Sequence, residues 1–339
     1  MINLISDTVT KPSKEMLNFM LNAEVGDDVF QEDPSVNDLE EYCARLFGKE
    51  KALFCPSGTM TNQIAIKCHT QPLDELICDH YSHVYQYETG GYAFNSNVAV
   101  NLIKGENGKI TADQLEEAIK PVEDWLPISK LVVLENSCNK GGGSYYTKDE
   151  IVPISSLCKQ RGLKLHLDGA RLFNVLVETG EQTEEIGQLF DSISICISKG
   201  LGAPVGSVLI GDKDFITQAR RFRKVMGGGM RQVGYMAAAC KYALVNNVER
   251  LKEDNQKAKD LGGLLATLPY VEHVRPVMTN IVIFDIKDGL TADQFLETMK
   301  KENIIGSAFG PQTVRFVTHL DYTDEMHSQV LNVLNHVNP

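Results

Sequence analysis

The sequence predicts an α/β fold, a largely parallel central sheet between helices with a smaller α+β domain after it. Two observations carry this. Short runs such as "ELICDH", "LVVLEN", "LKLHLD", "SISICIS" and "GSVLIG" stay apolar instead of alternating, as strands covered on both faces do. Most are separated by helical stretches, the βαβ signature of a layered fold. A third observation divides the chain: from about Val245 the texture becomes charged helix and alternating strand. The expected division is a large domain over 1–245, N-terminal arm included, and a small C-terminal domain over 246–339.

The elements follow in order. In "DPSVNDLEEYCARLFG" Asp33 is placed to cap a helix and Pro34 fills its first position. Val36, Leu39, Tyr42, Cys43 and Leu46 make its apolar face and Gly48 stops it. "KALFC" reads as a strand, "PSGTMTN" as a loop, and Thr61 to Cys68 as a helix. In "TKDEIVPISSLCKQRG" Thr147 and Glu150 form a capping box. After residue 245 come the helix "NNVERLKEDNQKAKDLGGLLATL" and the segments "VRPVMTNIVIFDI", "TADQFLETMKKE", "TVRFVTHLD" and "TDEMHSQVLNVLNHV".

Composition excludes several function classes. The chain has 339 residues, is 43% hydrophobic and carries a net charge of -12, so it has length for a large core and no basic surface for nucleic acid. The eight cysteines are scattered singly without a CxxC pair; reduced thiols in a cytoplasmic protein are expected. "INLISDTVTK" has neither basic n-region nor apolar h-region, and no run is long enough to span a bilayer, so no membrane partner is expected. The expected partners are small molecules and other copies of the chain.

The chemistry centres on Lys199, which ends the apolar run "SISICISK". "GLGAPV" fails as a dinucleotide fingerprint, because Val205 takes the third glycine position, Pro204 lies in the turn, and a strand follows. A lone lysine at a strand end is ordinarily a snorkelling surface group. Here Asp168 ends the strand "LKLHLD" in the same way, which places both groups at the carboxyl edge of the sheet, where open α/β sheets bind ligands. Lysine and buried aspartate are the pair that pyridoxal phosphate needs, the amine for its aldehyde and the carboxylate for its ring nitrogen. The amides of Gly58 and Thr59, at the start of a helix, suit its phosphate. "DHYSHVYQYETGG" supplies His80, His83, Tyr85 and Tyr87 as flat groups. No metal site is expected.

With "ISDTVTKP", "VGDDVFQEDP", "PSGTMTN", "DHYSHVYQYETGG", "HLDGARLFN", "SKGLGAPVGS" and "RKVMGGGMRQ" in this order, the chain resembles the low-specificity L-threonine aldolases. These are pyridoxal phosphate enzymes of fold type I, the aspartate aminotransferase fold. The match runs from Ile5 to about Ala239 and resumes at "VRFVTH". The resemblance implies reversible cleavage of L-threonine or L-allo-threonine to glycine and acetaldehyde. It makes Lys199 the covalent anchor of the cofactor, Asp168 the ring-nitrogen partner, and His83 the ring-stacking residue and candidate base. Ser6, Arg171 and Arg315 would hold the substrate carboxylate, with Arg171 also in the cofactor-binding set. Lys224 and Arg231 would reach the phosphate of a neighbouring subunit, which implies active sites shared within a homotetramer, a dimer of dimers. Where the family pattern reads Glu-Asn-Thr-His-Asn, this chain has "ENSCN", so Cys138 replaces a histidine assigned to the substrate hydroxyl. Two other readings stay open, a β-eliminating lyase of the same fold and a binding protein that has lost catalysis.

Overall fold

A computed structural model describes residues 1–337. Its centre is a seven-stranded sheet of β2 (Lys51–Cys55), β3 (Asp74–Asp79), β4 (Ala99–Ile103), β5 (Ile128–Glu135), β6 (Lys164–Gly169), β7 (Ser192–Cys196) and β8 (Ser207–Gly211), after a two-residue β1 (Ile2–Asn3). The spatial order is β2-β8-β7-β6-β5-β3-β4. All pairs are parallel except the two made by β8. Every residue of β3, β7 and β8 is buried, the two-sided cover that the unbroken apolar runs imply.

The antiparallel β8 follows from chain length. Only residues 197–206 join β7 to β8, too few for the crossover helix that a parallel pair requires. Lys199 therefore sits in a tight connection at the sheet edge. The strand β4, which runs next to β3, is half exposed and lacks the apolar run that marks the others.

The helices form where their caps direct. Asp33 Oδ1 accepts from the amides of Ser35 and Val36, and Thr147 and Glu150 complete their reciprocal cap. One helix begins earlier than the sequence implies: it spans Gly58–His69, capped by the Ser57 side chain. Gly58 and Thr59 thus lie in its first turn and not in a preceding loop. Glycine is tolerated there because first-turn amides have no intrahelical partner to lose.

The second sheet comprises β9 (Val271–Val274), β10 (Ile281–Ile286), β12 (Ser307–Ala308) and β13 (Thr313–Val317), antiparallel in the order β12-β13-β10-β9. The short β11 (Ile304–Ile305) pairs in parallel with β1. Ile2 and Leu4 consequently pack into the second core with Phe284, Phe295 and Phe316. The helix Leu251–Leu265 joins the two cores, its Leu251 in the first and its Ala258, Leu261 and Leu265 in the second.

Asp33 does more than cap. Its Oδ2 accepts from the Gly234 amide at 2.9 Å, so one fully buried carboxylate ties two helix starts together. Asp33→Ala is predicted to lower the unfolding free energy by about 3 kcal/mol, a lost cap plus an orphaned buried amide. Urea unfolding measures this; a loss below 1 kcal/mol would show that water replaces the carboxylate.

Candidate active site

Two adjoining cavities open at the carboxyl edge of the central sheet. The inner one, about 200 Å³, is lined by Ser57, Gly58, Thr59, Asp168, Ser198 and Lys199 among others. The outer one, about 360 Å³, is lined by Ser6, Asn139, Arg171, Phe309 and Arg315 among others. His83 and Lys199 line both. The Lys199 carbonyl accepts from Thr10 Oγ1 at 2.9 Å and from the Gly202 amide at 2.8 Å, which fixes the loop that carries the amine. A larger depression of about 620 Å³ lies elsewhere, against Glu40, Lys49 and Arg220. There Arg220 already pairs with Glu40 at 2.7 Å, and Lys49 Nζ donates to the Phe190 carbonyl at 2.7 Å.

Asp168 is buried beside Glu135 of the neighbouring strand. Its Oδ2 accepts from Asn62 Nδ2 at 2.9 Å, whereas its buried Oδ1 has no partner among the described residues. Such an orphaned acceptor is costly unless a ligand supplies a donor.

His83 Nδ1 lies 2.9 Å from Glu88 Oε1, and its backbone amide donates to Glu135 Oε2 at 2.9 Å. Burial alone would pull the imidazole down, but the Glu88 hydrogen bond and the charges of Asp168 and Glu135 outweigh it and raise its pKa. With Nδ1 bound to a carboxylate, neutral His83 presents its lone pair at Nε2. Glu135 is driven upward by burial and by Asp168. The ligand atoms of His83, Glu88 and Asp168 lie within 4.8 Å of one another; the His83–Glu88 bond and Asn62, which donates to both carboxylates, account for that proximity.

The outer cavity concentrates positive charge. Arg171 Nε and Nη2 each donate to Asp7 at 2.7 Å. Arg315 Nη1 donates to Asn139 Oδ1 at 2.8 Å and Nη2 to the Ile5 carbonyl at 3.0 Å, with its guanidinium 4.8 Å from the Phe309 ring centroid. Burial and the like charge of Arg171 lower Arg315 to about 10, so it stays cationic at neutral pH. Two guanidiniums with one carboxylate between them leave net positive charge facing Ser6, suited to an anion.

The structure therefore brings Lys199, Asp168, His83, Gly58, Thr59, Ser6, Arg171 and Arg315 to one cleft. Three further residues lie outside it: Cys138, expected at the substrate hydroxyl, and Lys224 and Arg231, expected at a neighbouring subunit's site. Cys138 is fully buried, with its Sγ 3.9 Å from Glu135 Oε2, and does not line either cavity. It packs where a side chain on Gly108 would come within 2.1 Å of its sulfur, and the next residue, Asn139, faces the cleft instead. Lys224 and Arg231 are exposed on another surface of the chain. Arg231 pairs with Asp27 at 2.7 Å and lies over the Phe30 ring.

Sequence reasoning missed Asp7, Asn62, Glu88 and Glu135. Glu88 and Glu135 stand inside quoted stretches, "YETGG" and "ENSCN", yet nothing in their spacing sets them apart from surface acids. The signal for Asn62 would have been a helix start at Ser57, which turns its side chain inward.

Comparison with known proteins adds an independent line. Residues 3–289 match the beta-eliminating lyase family. The low specificity L-threonine aldolase of Escherichia coli K12 is 41% identical over 334 residues, covering 97% of each chain. A probable low-specificity L-threonine aldolase of Arabidopsis thaliana is 40% identical, covering 95% of this chain and 93% of its own. A solved threonine aldolase of Leishmania major superposes with a TM-score of 0.85 at 22% identity over 99% of both chains.

The Asp7–Arg171 pair gives a pH-dependent prediction. Burial opposes ionisation of Asp7, but Arg171 overrides it and holds the carboxyl at about 2, below the ordinary 3.8. A depressed folded pKa contributes stability above the unfolded value that is lost as pH falls toward the folded one. Asp7→Asn should destabilise by roughly 3 kcal/mol at pH 7, the cost of unpairing a buried arginine. The gap to wild type should narrow by about 1 kcal/mol between pH 5 and pH 3. Urea unfolding at several pH values checks this, and a constant gap would exclude the ionic account.

Proposed function

The chain belongs to the beta-eliminating lyase family, among its low-specificity L-threonine aldolases, and from that premise we propose how its cleft cleaves L-threonine or L-allo-threonine. The reaction breaks the bond between the α and β carbons. The β-hydroxyl proton leaves as the hydroxyl becomes an aldehyde, and a proton returns to the α carbon, giving glycine and acetaldehyde. The observation that carries this reading is the shared cavity of Lys199 and Asp168, with Asp168 Oδ1 lacking a partner.

The cleft fits pyridoxal 5′-phosphate by the chemistry of its donors. Asp168 Oδ1 is an unsatisfied acceptor for a ring N–H. The Gly58 and Thr59 amides begin a helix and suit a phosphate, and a side chain on Gly58 would approach Cys196 Sγ to 2.5 Å, so only glycine leaves that cradle open. Pyridoxal 5′-phosphate, when bound, supplies an aldehyde that joins amines and a protonated ring that withdraws electrons from the α carbon.

The chain's own groups do the rest. Lys199 offers its amine to the inner cavity. Arg315 and Arg171, with Ser6, orient the substrate carboxylate in the outer cavity, where bidentate donors fix direction as well as charge. His83, on the boundary, receives the hydroxyl proton at Nε2 while Glu88 holds Nδ1, the division of labour of a histidine–carboxylate pair. A positioned base of this kind contributes roughly 10² to 10⁴ in rate. Cys138 supports the loop behind Asn139 and has no direct contact with substrate.

The same proposal places Lys224 and Arg231 against the phosphate site of a neighbouring subunit, in a homotetramer built as a dimer of dimers. Their exposure beside Val225 and Phe30, both largely exposed, supports it. Eight free cysteines support a reducing, cytoplasmic setting. Among the described residues, no helix is long and apolar enough to cross a membrane.

Purified protein with pyridoxal 5′-phosphate and L-threonine should release glycine and acetaldehyde, and Lys199→Ala should abolish both turnover and the absorbance of covalently held cofactor. 2-Oxobutanoate and ammonia as products would instead mark a β-eliminating lyase. Glu88→Gln tests the base. Neutral His83 is required, and the Glu88 hydrogen bond is the largest of the contacts that raise its pKa, so the acidic limb of kcat/KM should move to lower pH as kcat falls about tenfold or more. An unmoved limb would assign the base elsewhere.

A further inference from the structure

Behind Asp168 a line of buried side chains runs away from the cleft, and hydrogen-bond chemistry fixes its direction. Asn62 Nδ2 meets two acceptors, Asp168 Oδ2 and Glu88 Oε1, both at 2.9 Å, so this atom is the amide nitrogen. Asn62 Oδ1 then faces His166 Nε2 at 3.1 Å, and that ring nitrogen must carry a proton. Burial and the nearby His69 push His166 down to about 3, so the ring is neutral and its Nδ1 bare. Nδ1 accepts from Ser192 Oγ at 2.8 Å; having given its one proton, Ser192 accepts from His69 Nε2 at 2.7 Å. His69, stacked on Phe215 at 4.6 Å, ends the line.

Three elements supply it in register. The helix Gly58–His69 carries both ends, Asn62 and His69, two turns apart on one face. His166 and Asp168 are alternate residues on one face of β6, and Ser192 opens β7. Every proton points toward the two carboxylates. Asp168 Oδ2 is thereby occupied, and Oδ1 is the atom left for a donor in the cleft.

We propose that His69, Ser192 and His166 hold Asn62 in a single orientation, and that Asn62 is a positioning residue which presents Asp168 Oδ1 to the cleft while bracing Glu88 against His83. This rests on the reading of Asp168 as the partner of the pyridoxal phosphate ring nitrogen. His69, Ser192 and His166 line neither cavity, and Asn62, which borders the inner one, is held by them and acts through Asp168 and Glu88.

The first measurement uses wild-type protein labelled with ¹⁵N-histidine, without and with pyridoxal 5′-phosphate, at pH 7. His166 and His69 should both be neutral with the proton on Nε2, and a protonated His166 or an Nδ1–H tautomer overturns the chain. The second compares His166→Leu with His166→Gln by equilibrium dialysis against pyridoxal 5′-phosphate and by the pH dependence of the bound cofactor's absorbance. Leucine removes the donor to Asn62, and should weaken binding roughly tenfold and shift the pH midpoint. Glutamine restores a donor at that place, and should recover most of both. Equal behaviour of the two variants would reduce His166 to packing. Failure of wild type to bind pyridoxal 5′-phosphate would remove the cofactor reading alone, because the tautomers still decide the chain.

Discussion

Three carboxylates, those of Asp168, Glu135 and Glu88, are buried close together at the carboxyl edge of the central sheet, and their mutual repulsion is the constraint around which the site is organised. A buried anion without a partner is among the most destabilising features a fold can hold. Each is therefore supplied with donors, two of which are shared between carboxylates. Asn62 bridges Asp168 and Glu88, Gln63 and His83 complete Glu88, and the amides of His83 and Asn139 hold Glu135. One oxygen, Asp168 Oδ1, is left out. The donors that keep the cluster folded also leave one acceptor free on a residue that lines the inner cavity.

Positive charge in the outer cavity is managed by the same logic with signs reversed. Arg171 burdens the buried Arg315 with its like charge, and Asp7, which also raises the pKa of Arg171, offsets part of this. Asp7 belongs to the N-terminal segment, whose β1 pairs with β11 and whose Leu4 carbonyl accepts from Val317. Asn280, just before β10, also donates to Asp7. The arm therefore fastens the small sheet to the arginine that starts the helix after β6. The charge balance of the outer cavity and the joining of the two cores share one ion pair.

How much of this was legible in the sequence follows from which signals are local. Lys199 and Asp168 could be found because each ends an apolar strand run, and strand ends in an open α/β sheet converge on one edge. The caps at Asp33 and Thr147 were equally local. Glu88, Glu135 and Asp7 were not, because an acidic residue in a loop looks the same whether it faces water or a buried imidazole. Cys138 shows the limit of a resemblance carried by position: an isolated bridge to Ser144 turns its sulfur toward Gly108, and the residue beside it reaches the cleft. Asn62 was hidden by a helix start placed at Thr61, too late to turn its side chain inward.

The tight connection between β7 and β8 explains why Lys199 and the helix start at Gly58 stay in register. Because β8 returns antiparallel, Cys196 at the end of β7 and Ser207 at the start of β8 are paired neighbours. Both lie under Gly58, where a side chain would meet Cys196 Sγ at 2.5 Å and Ser207 Oγ at 3.6 Å. The helix start is thus seated on the two strands that bracket the Lys199 loop. Gly206, at φ 130°, makes the turn into β8, and a side chain there would collide with Cys240 Sγ and the Phe54 ring. That close approach couples β2 and the helix Gly234–Asn246 to the same connection. Any displacement of Lys199 along the sheet edge would have to move the helix start with it, so the separation between the Lys199 backbone and the first turn at Gly58 is set by backbone packing.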